Sequence, residues 1–421
     1  MRTRELARVG LTLYSETFPS GMEAHVLPLP GYQKAHATLS AHYGSLDSHF
    51  VTPEGREVEV PAGIAHFLEH KLFESKDGSV MDRFSELGAF SNAYTNFTST
   101  TYLFSATWEI EACLTLLMDF VQSARFTPES VAKEQGIIGQ ELRMYEDNPA
   151  WRVFHNLLEG LYARHPVRID IGGTQESIRE ITPELLDICY RTFYHPSNLV
   201  FFAAGNLDPE RTLHIVGEHI KGGAPRGPIQ RLSPDEPREA LEGRKEARMP
   251  VGVPLFEVGW KDGGVGGDLR KEIATSLMLE TFIGRSTPLY QDLYAKGLLT
   301  DRFAPGYFSG PDFGVVLMGS DTQDVKGLET ALLKAVDTAR RSGLDEEIFR
   351  RCQRREIGET LALFDDPESV AHAFTDMVHK GQDLFEMLDL LGTISMDEVR
   401  ERLSLLGEEN RTVSVVLPRE G

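Results

Sequence analysis

The sequence predicts an α+β fold built in two halves, and three observations lead there. Short alternating apolar runs, broken by Gly or Pro, are interleaved with longer segments of helical periodicity. After about residue 240 the same order of strand and helix signals begins again. At 421 residues the chain exceeds the roughly 250–300 residues at which a single hydrophobic core stops growing.

The elements follow in chain order. Residues 10–51 read as strands: GLTLYSETF, AHVLPLP and AHATLSAHYGS are short, alternating and punctuated by Pro or Gly. A helix is expected over 61–74 (PAGIAHFLEHKLFE), opened by Pro and carrying apolar residues at helical spacing. A second, MDRFSELGA, ends at Gly88 and gives way to a β-rich stretch, FSNAYTNFTSTTYLFSATW. Helical patterns occupy 110–124 and 129–145, and the first half closes with a helix over 183–193 and the strand LVFFAAGN. Residues 221–242, KGGAPRGPIQRLSPDEPREALE, hold four prolines and three glycines with few large apolar side chains, the composition of a linker. The chain is therefore divided into 1–222, a linker 223–241, and 242–421. The second half offers a strand (VPLFEVGWKD), helices (LRKEIATSLMLETFIG and TPLYQDLYAKG), a strand (DFGVVLMGS), long helices and a closing strand (TVSVVLP). Laying GIAHFLEHKLF over EIATSLMLETF matches the apolar frame while the polar residues change, which predicts an internal duplication whose halves share a fold but not a site.

Composition narrows the function. A hydrophobic fraction of 41%, a charged fraction of 25% and dispersed Gly and Pro exclude collagen-like and disordered readings. The formal net charge of −21 repels phosphate backbones and anionic lipid, so neither nucleic acid nor a membrane is expected as partner, and neutral or cationic substrates fit better. Cys113, Cys189 and Cys352 are too far apart in sequence for a metal knuckle and too few for a disulfide framework. They read as buried or half-buried thiols in a reducing compartment. The N-terminal segment lacks the apolar core of a signal peptide, and no run reaches the length of a membrane span, so the expected location is cytoplasmic.

The chemistry is concentrated in His66-Phe67-Leu68-Glu69-His70. At 100° per residue the two histidines lie about 40° apart and one turn along a helix, so both rings can reach one metal ion, with Glu69 near the same face. H-x-x-E-H is the inverzincin signature, with His ligands to zinc and a glutamate base. Phe67, Leu68, Leu72 and Phe73 commit the rest of this helix to burial. Catalytic zinc takes a third protein ligand, and VAKEQGIIGQELRMYED supplies two candidates. Glu134 and Glu141 are seven apart, hence about 20° apart and two turns along, and both can look into one site. Ile137, Ile138, Leu142 and Met144 read as the packed side of that helix.

HFLEHKLFE, followed 71 residues after His70 by the glutamate of EQGIIGQE, resembles the pitrilysin or insulinase family, which includes the mitochondrial processing peptidases. GAFSNAYTNFTSTTYLF resembles that family's active-site strand, and HPVRIDIGGTQESIREIT and YHPSNLVFFAAGN resemble its later landmarks. The resemblance covers most of 20–210 and is looser over 240–421. It implies two homologous α/β sandwich domains, each an antiparallel-rich sheet covered by helices, facing each other across a chamber. It also implies a zinc-dependent metalloendopeptidase of peptides or unfolded segments, with one Zn2+ per chain. On this resemblance His66, His70 and Glu141 hold the metal, Glu69 is the general base and Glu134 supports the site. Asn92, Ala93, Tyr94 and Thr95 hold the substrate as an added strand.

In one place the chain departs from the family. Many members carry in their second half an Arg and a Tyr that bind substrate and the developing oxyanion. In TPLYQDLYAKGLLTDRF, Tyr294 stands near the expected Arg and Thr300 near the expected Tyr, and neither Arg285 nor Arg302 is in register. Since an oxyanion usually needs donors besides the metal, the resemblance implies a paralogous subunit supplying Arg and Tyr, with a homodimer as the alternative. A proteolytically silent assembly subunit and a different zinc hydrolase on the same ligands are the competing readings.

Overall fold

The computed structural model describes residues 1–75 and 78–419. The chain forms two compact units, one made of Met1–Leu142, Asp170–Leu232 and Thr360–Phe385, the other of Arg143–Ile169, Ser233–Glu359 and Glu386–Gly421. The first is built on a seven-stranded sheet. Its spatial order is Arg2–Leu6, Leu11–Thr17, Glu23–Pro28, Leu199–Gly205, Ala35–Ala41, Thr100–Ala106 and Phe90–Thr95. Only the pair Glu23–Pro28 with Leu199–Gly205 is parallel. The second unit has a five-stranded sheet in the order Arg244–Met249, Arg411–Pro418, Leu255–Asp262, Gly314–Asp321 and Ala304–Ser309. Its first pair is again parallel and the other three antiparallel. The five strands from Glu23–Pro28 to Phe90–Thr95 are thus repeated, pairing sense included, as the duplicated pattern of the sequence anticipates. Strands Arg2–Leu6 and Ala304–Ser309 are additions to the expected elements.

Each sheet packs one face on a large apolar core. In the first unit Phe67, Leu68, Leu72, Tyr102, Phe104 and Leu117 belong to it; in the second Phe256, Val258, Trp260, Leu277, Met278 and Val413 do. The other faces are covered by helices exchanged between the halves of the sequence. Pro367–Val378, from the second half, lies on the first sheet: Phe374 stacks on Phe202 at 4.3 Å, and the Thr375 and Thr38 hydroxyls are 3.2 Å apart. Pro149–Leu161, from the first half, lies on the second sheet, where Leu157 presses on Gly259. This explains Ala35–Ala41: a strand covered on both faces has every residue buried, and its small polar residues find partners, as Ser40 does with His379 at 2.7 Å.

One of the crossings between units falls between Leu232 and Ser233, inside the segment 223–241 expected as linker, and the exchanged segments Arg143–Ile169 and Thr360–Phe385, which carry the two helices, add the others and depart from a simple division of the chain. Arg231 holds the first side of the crossing through Asp47 at 2.6 Å, and Glu236 holds the second through Lys261 at 2.7 Å. Cys113, Cys189 and Cys352 are all buried free thiols. Among the described residues no helix is long and apolar enough to cross a membrane.

Candidate metal centre

The helix Ile64–Leu72 carries both histidines of the motif, and its start is fixed by glycine. Gly63 takes φ +89°, where L side chains are strained, and a Cβ there would lie 2.3 Å from the Gly172 carbonyl oxygen. A Cβ on Gly173 would in turn lie 2.4 Å from the Ala62 oxygen, so the two turns touch backbone to backbone. Ser177 Oγ donates to that same Ala62 oxygen at 2.8 Å. The landmark RIDIGGTQES therefore seats the metal-site helix, a role that its sequence pattern alone does not disclose.

From this seat the His66 and His70 rings lie 4.6 Å apart at 69°. Glu141, on the helix Pro128–Glu146, brings Oε2 to 3.9 Å from His66 Nε2 and 3.6 Å from His70 Nε2. One donor atom from each residue lies within 4.8 Å of the others, and no other such group of three occurs among the described residues. Ligand atoms of a tetrahedral zinc at bond lengths of about 2.0–2.1 Å stand roughly 3.4 Å apart, so the donor set fits such an ion with small adjustments. Glu134 is placed differently. Its Oε1 lies 3.0 Å from His70 Nδ1, the nitrogen turned away from Glu141, so it fixes that ring and leaves Nε2 free as a donor. The two glutamates that share one helix face thus engage the site at different depths. His66 Nδ1 is buried with no hydrogen-bond partner among the described residues.

Burial, reinforced by His70, pushes the His66 imidazolium down to about 4, so this ring is a neutral donor at pH 7. Burial also disfavours charge on His70, but the Glu134 hydrogen bond and the surrounding carboxylates outweigh it and raise its pKa. Glu69 is buried, which raises its carboxyl above the ordinary value against a 2.6 Å hydrogen bond donated by Thr95 Oγ1. That bond ties Glu69 to Phe90–Thr95, the terminal strand of the first sheet, which among the described residues is paired to Thr100–Ala106 on one side only. Asn92, Ala93, Tyr94 and Thr95 all lie on this strand. Thr95 faces Glu69, and Tyr94 turns to the opposite face, where its hydroxyl is 3.3 Å from His372 Nδ1.

One expectation for the second helix is corrected. Ile138 and Leu142 are buried, but Ile137 is 43% and Met144 62% exposed. At 100° per residue Ile137 and Met144 fall on the other side of the glutamates from Ile138 and Leu142, so the four apolar residues do not form one packed seam.

In the second unit, Thr275, Met278 and Leu279 occupy the helix positions that correspond to His66, Glu69 and His70. Met278 and Leu279 are core residues, and Thr275 Oγ1 accepts from Arg402 Nε at 2.8 Å. Tyr294 is half exposed on the helix Pro288–Ala295. Thr300 is committed locally, donating to Asp321 at 2.6 Å, and Arg285 donates to the Asp301 carbonyl.

The sequence matches the family descriptions "Insulinase (Peptidase family M16)" over residues 55–175 and "Peptidase M16 inactive domain" over 180–356. Among relatives, it is 39% identical over 422 residues to the "uncharacterized zinc protease YmfH" of Bacillus subtilis, with 97% of each chain covered. Among solved structures, an M16-like peptidase from Alicyclobacillus acidocaldarius superposes with a TM-score of 0.94 at 35% identity, covering 97% of this chain and 99% of that one. A protease from Helicobacter pylori shares the fold, with a TM-score of 0.85 at 16% identity over 96% of this chain and 99% of that one.

Proposed function

The chain belongs to the insulinase family of peptidases, family M16, and from that premise we propose that it is a zinc-dependent metalloendopeptidase of peptides or unfolded segments. The observation that carries this reading is the convergence of His66, His70 and Glu141 beside a buried Glu69 tethered to an unpaired strand edge. The name "zinc protease" borne by relatives supports the choice of metal. A zinc ion held by these three residues supplies a water of pKa near 7 and a Lewis acid for the scissile carbonyl. Glu69 takes the proton of the attacking water and returns it to the leaving amine. Glu134 holds His70 in the orientation that aims Nε2 at the ion. The strand Phe90–Thr95 takes the peptide as an added strand, so main-chain hydrogen bonds position it with little demand on sequence.

The test separates metal from base. About one zinc per chain is expected on purification, and His70→Ala is expected to lose it. Glu69→Gln keeps the side chain's size but cannot accept the proton, so it should retain zinc while turnover on a quenched peptide falls by on the order of 10² or more. Full activity in zinc-loaded Glu69→Gln would assign the base elsewhere.

We further propose that a paralogous chain completes the transition-state site. The support is local to the second unit, where Thr300 is bonded to Asp321 and no Arg stands at Tyr294. The same observation is what favours the silent-subunit reading, against which stands the intact donor set. Three buried thiols without a disulfide agree with a reducing compartment, and we infer the cytoplasm.

A further inference from the structure

The strand proposed to hold the substrate begins with a side chain that is largely open to solvent. Phe90 is 61% exposed, although it opens a strand of a well-packed sheet. Trp108, in the turn that follows the neighbouring strand, is 66% exposed. No other aromatic side chain among the described residues is as open as these two. Trp108 lies beside Gly88, two residues before Phe90. Phe90 pairs with Ser105, and antiparallel continuation brings Trp108 level with the residues just before the strand. There the indole Nε1 lies 3.4 Å from where a Cβ on Gly88 would be. The turn that presents Trp108 contains Glu109, the only non-glycine residue with positive φ (53°) among the described residues. An L side chain adopts that conformation against its preference, and the turn nevertheless keeps the indole in solvent.

We propose that Phe90 and Trp108 form an apolar subsite that binds an aromatic or large aliphatic side chain of the peptide, at a distance from the bond being cleaved. The inference rests on the peptidase reading above, and it names the occupant from continuity. Phe90 belongs to the same unpaired edge as Thr95, so a peptide added along that edge passes directly over it. Phe90 and Thr95 are five residues apart, which at about 3.4 Å per residue is roughly 17 Å of extended chain. The peptide residue facing Phe90 is therefore about five positions from the one facing Thr95. Successive side chains alternate between faces, so one position, and weakly its neighbours two away, should be read.

The experiment scans a single Phe through an otherwise Gly/Ser-rich quenched peptide on both sides of the scissile bond, and compares kcat/KM with that of the parent peptide. Wild type should favour Phe at one position several residues from the cleaved bond by about ten-fold. In F90A W108A the ratio of Phe peptide to parent should fall to about one. A ratio equal in variant and wild type, or no positional preference in wild type, overturns the subsite. Binding of the same peptides to zinc-loaded E69Q and to E69Q F90A W108A, read by fluorescence anisotropy, keeps the two readings apart. A preference in binding that disappears with the aromatics upholds the subsite even if no peptide is cleaved. Absence of zinc-dependent cleavage in wild type counts against the peptidase reading alone.

Discussion

Glu69 sits under two opposed influences: burial, which raises its pKa, and the hydroxyl of Thr95, which lowers it by donating to the charged carboxylate. A general base works deprotonated, so the acid limb of kcat/KM moves up in pH when its pKa rises. Thr95→Val keeps the volume and removes the donor, so the acid limb should shift to higher pH than in wild type, read from a pH profile on one peptide. A limb that stays in place or moves down would mean that Thr95 does not tune the base. Glu134→Gln should loosen the metal rather than remove it. The loss of a carboxylate behind a ligating His typically costs 10–100-fold in affinity, measurable by competition with a chelator. Sequence spacing was sufficient to single out His66, Glu69 and His70, because three residues on one helical turn have nearly fixed relative positions. It could not separate the roles of Glu134 and Glu141, which share a helix face. The family resemblance assigns Glu141 to the metal and Glu134 to support, and the structure places Glu134 on Nδ1 of His70 and Glu141 near Nε2.

Among the elements, two helices of the first half go unannounced in the sequence reading: Pro209–Glu218, capped by Asp208, and Pro149–Leu161, although Asn148 caps the latter by accepting from Ala150 and Trp151 and Pro149 opens it. Its apolar stripe says that it is buried, but no local pattern says that it is buried on the sheet of the other half. The strand Ala304–Ser309 was missed for a related reason: APGYFS opens with Pro and Gly, and its extended form is imposed by pairing to Gly314–Asp321. The exchanged helix gives a prediction whose sign runs against propensity. Replacing Gly by Ala inside a helix ordinarily gains about 1 kcal/mol. At Gly160 the new methyl would lie 2.5 Å from Cγ2 of Thr412, whose hydroxyl is held by the Glu242 carbonyl at 2.6 Å and which has no exposed surface. Overpacking typically costs about 1–3 kcal/mol, so Gly160→Ala should lower the unfolding temperature, and Gly160→Ala with Thr412→Ser should recover it. The crossing segment has its own pH signature. Burial disfavours the Glu236 charge, but Lys261 and the backbone N–H groups of Ala163, Arg164 and His165 outweigh that and hold its carboxyl at about 2. Its stabilisation is present above the unfolded-state value of about 4.5 and is lost as pH falls toward 2. Glu236→Gln should therefore lower the urea midpoint at pH 7, with the gap to wild type closing below about pH 3.

For the whole molecule the duplicated strand order explains why the fold was legible from two halves, and also why only one half carries a site. A core position tolerates Met278 or Leu279 in place of Glu69 or His70, whereas a metal site cannot form without its donors. What a second unit does beyond folding then bears on whether the chain acts alone. In the mechanism proposed above an ion and Glu69 would account for the attack of water, but orientation and oxyanion stabilisation each typically contribute further factors of 10² or more. The residues that stand where family members place an Arg and a Tyr cannot supply this: Thr300 spends its hydroxyl on Asp321, and Tyr294 brings no cation. A paralogue that retains Arg and Tyr would supply the donors in trans, and the two chains should then associate and turn over faster together than apart. The measurement is light scattering on the co-expressed pair, followed by turnover per zinc for the pair and for the isolated chain on the same peptide. A rate for the pair at least ten-fold above that of the isolated chain is expected, and it should vanish when the paralogue's Arg is replaced. Equal turnover for the isolated chain, with no complex formed, would mean that the donors lie within this chain, and exposed Arg302 of the second unit, within 3.8 Å of Asp321, would be the first residue to replace.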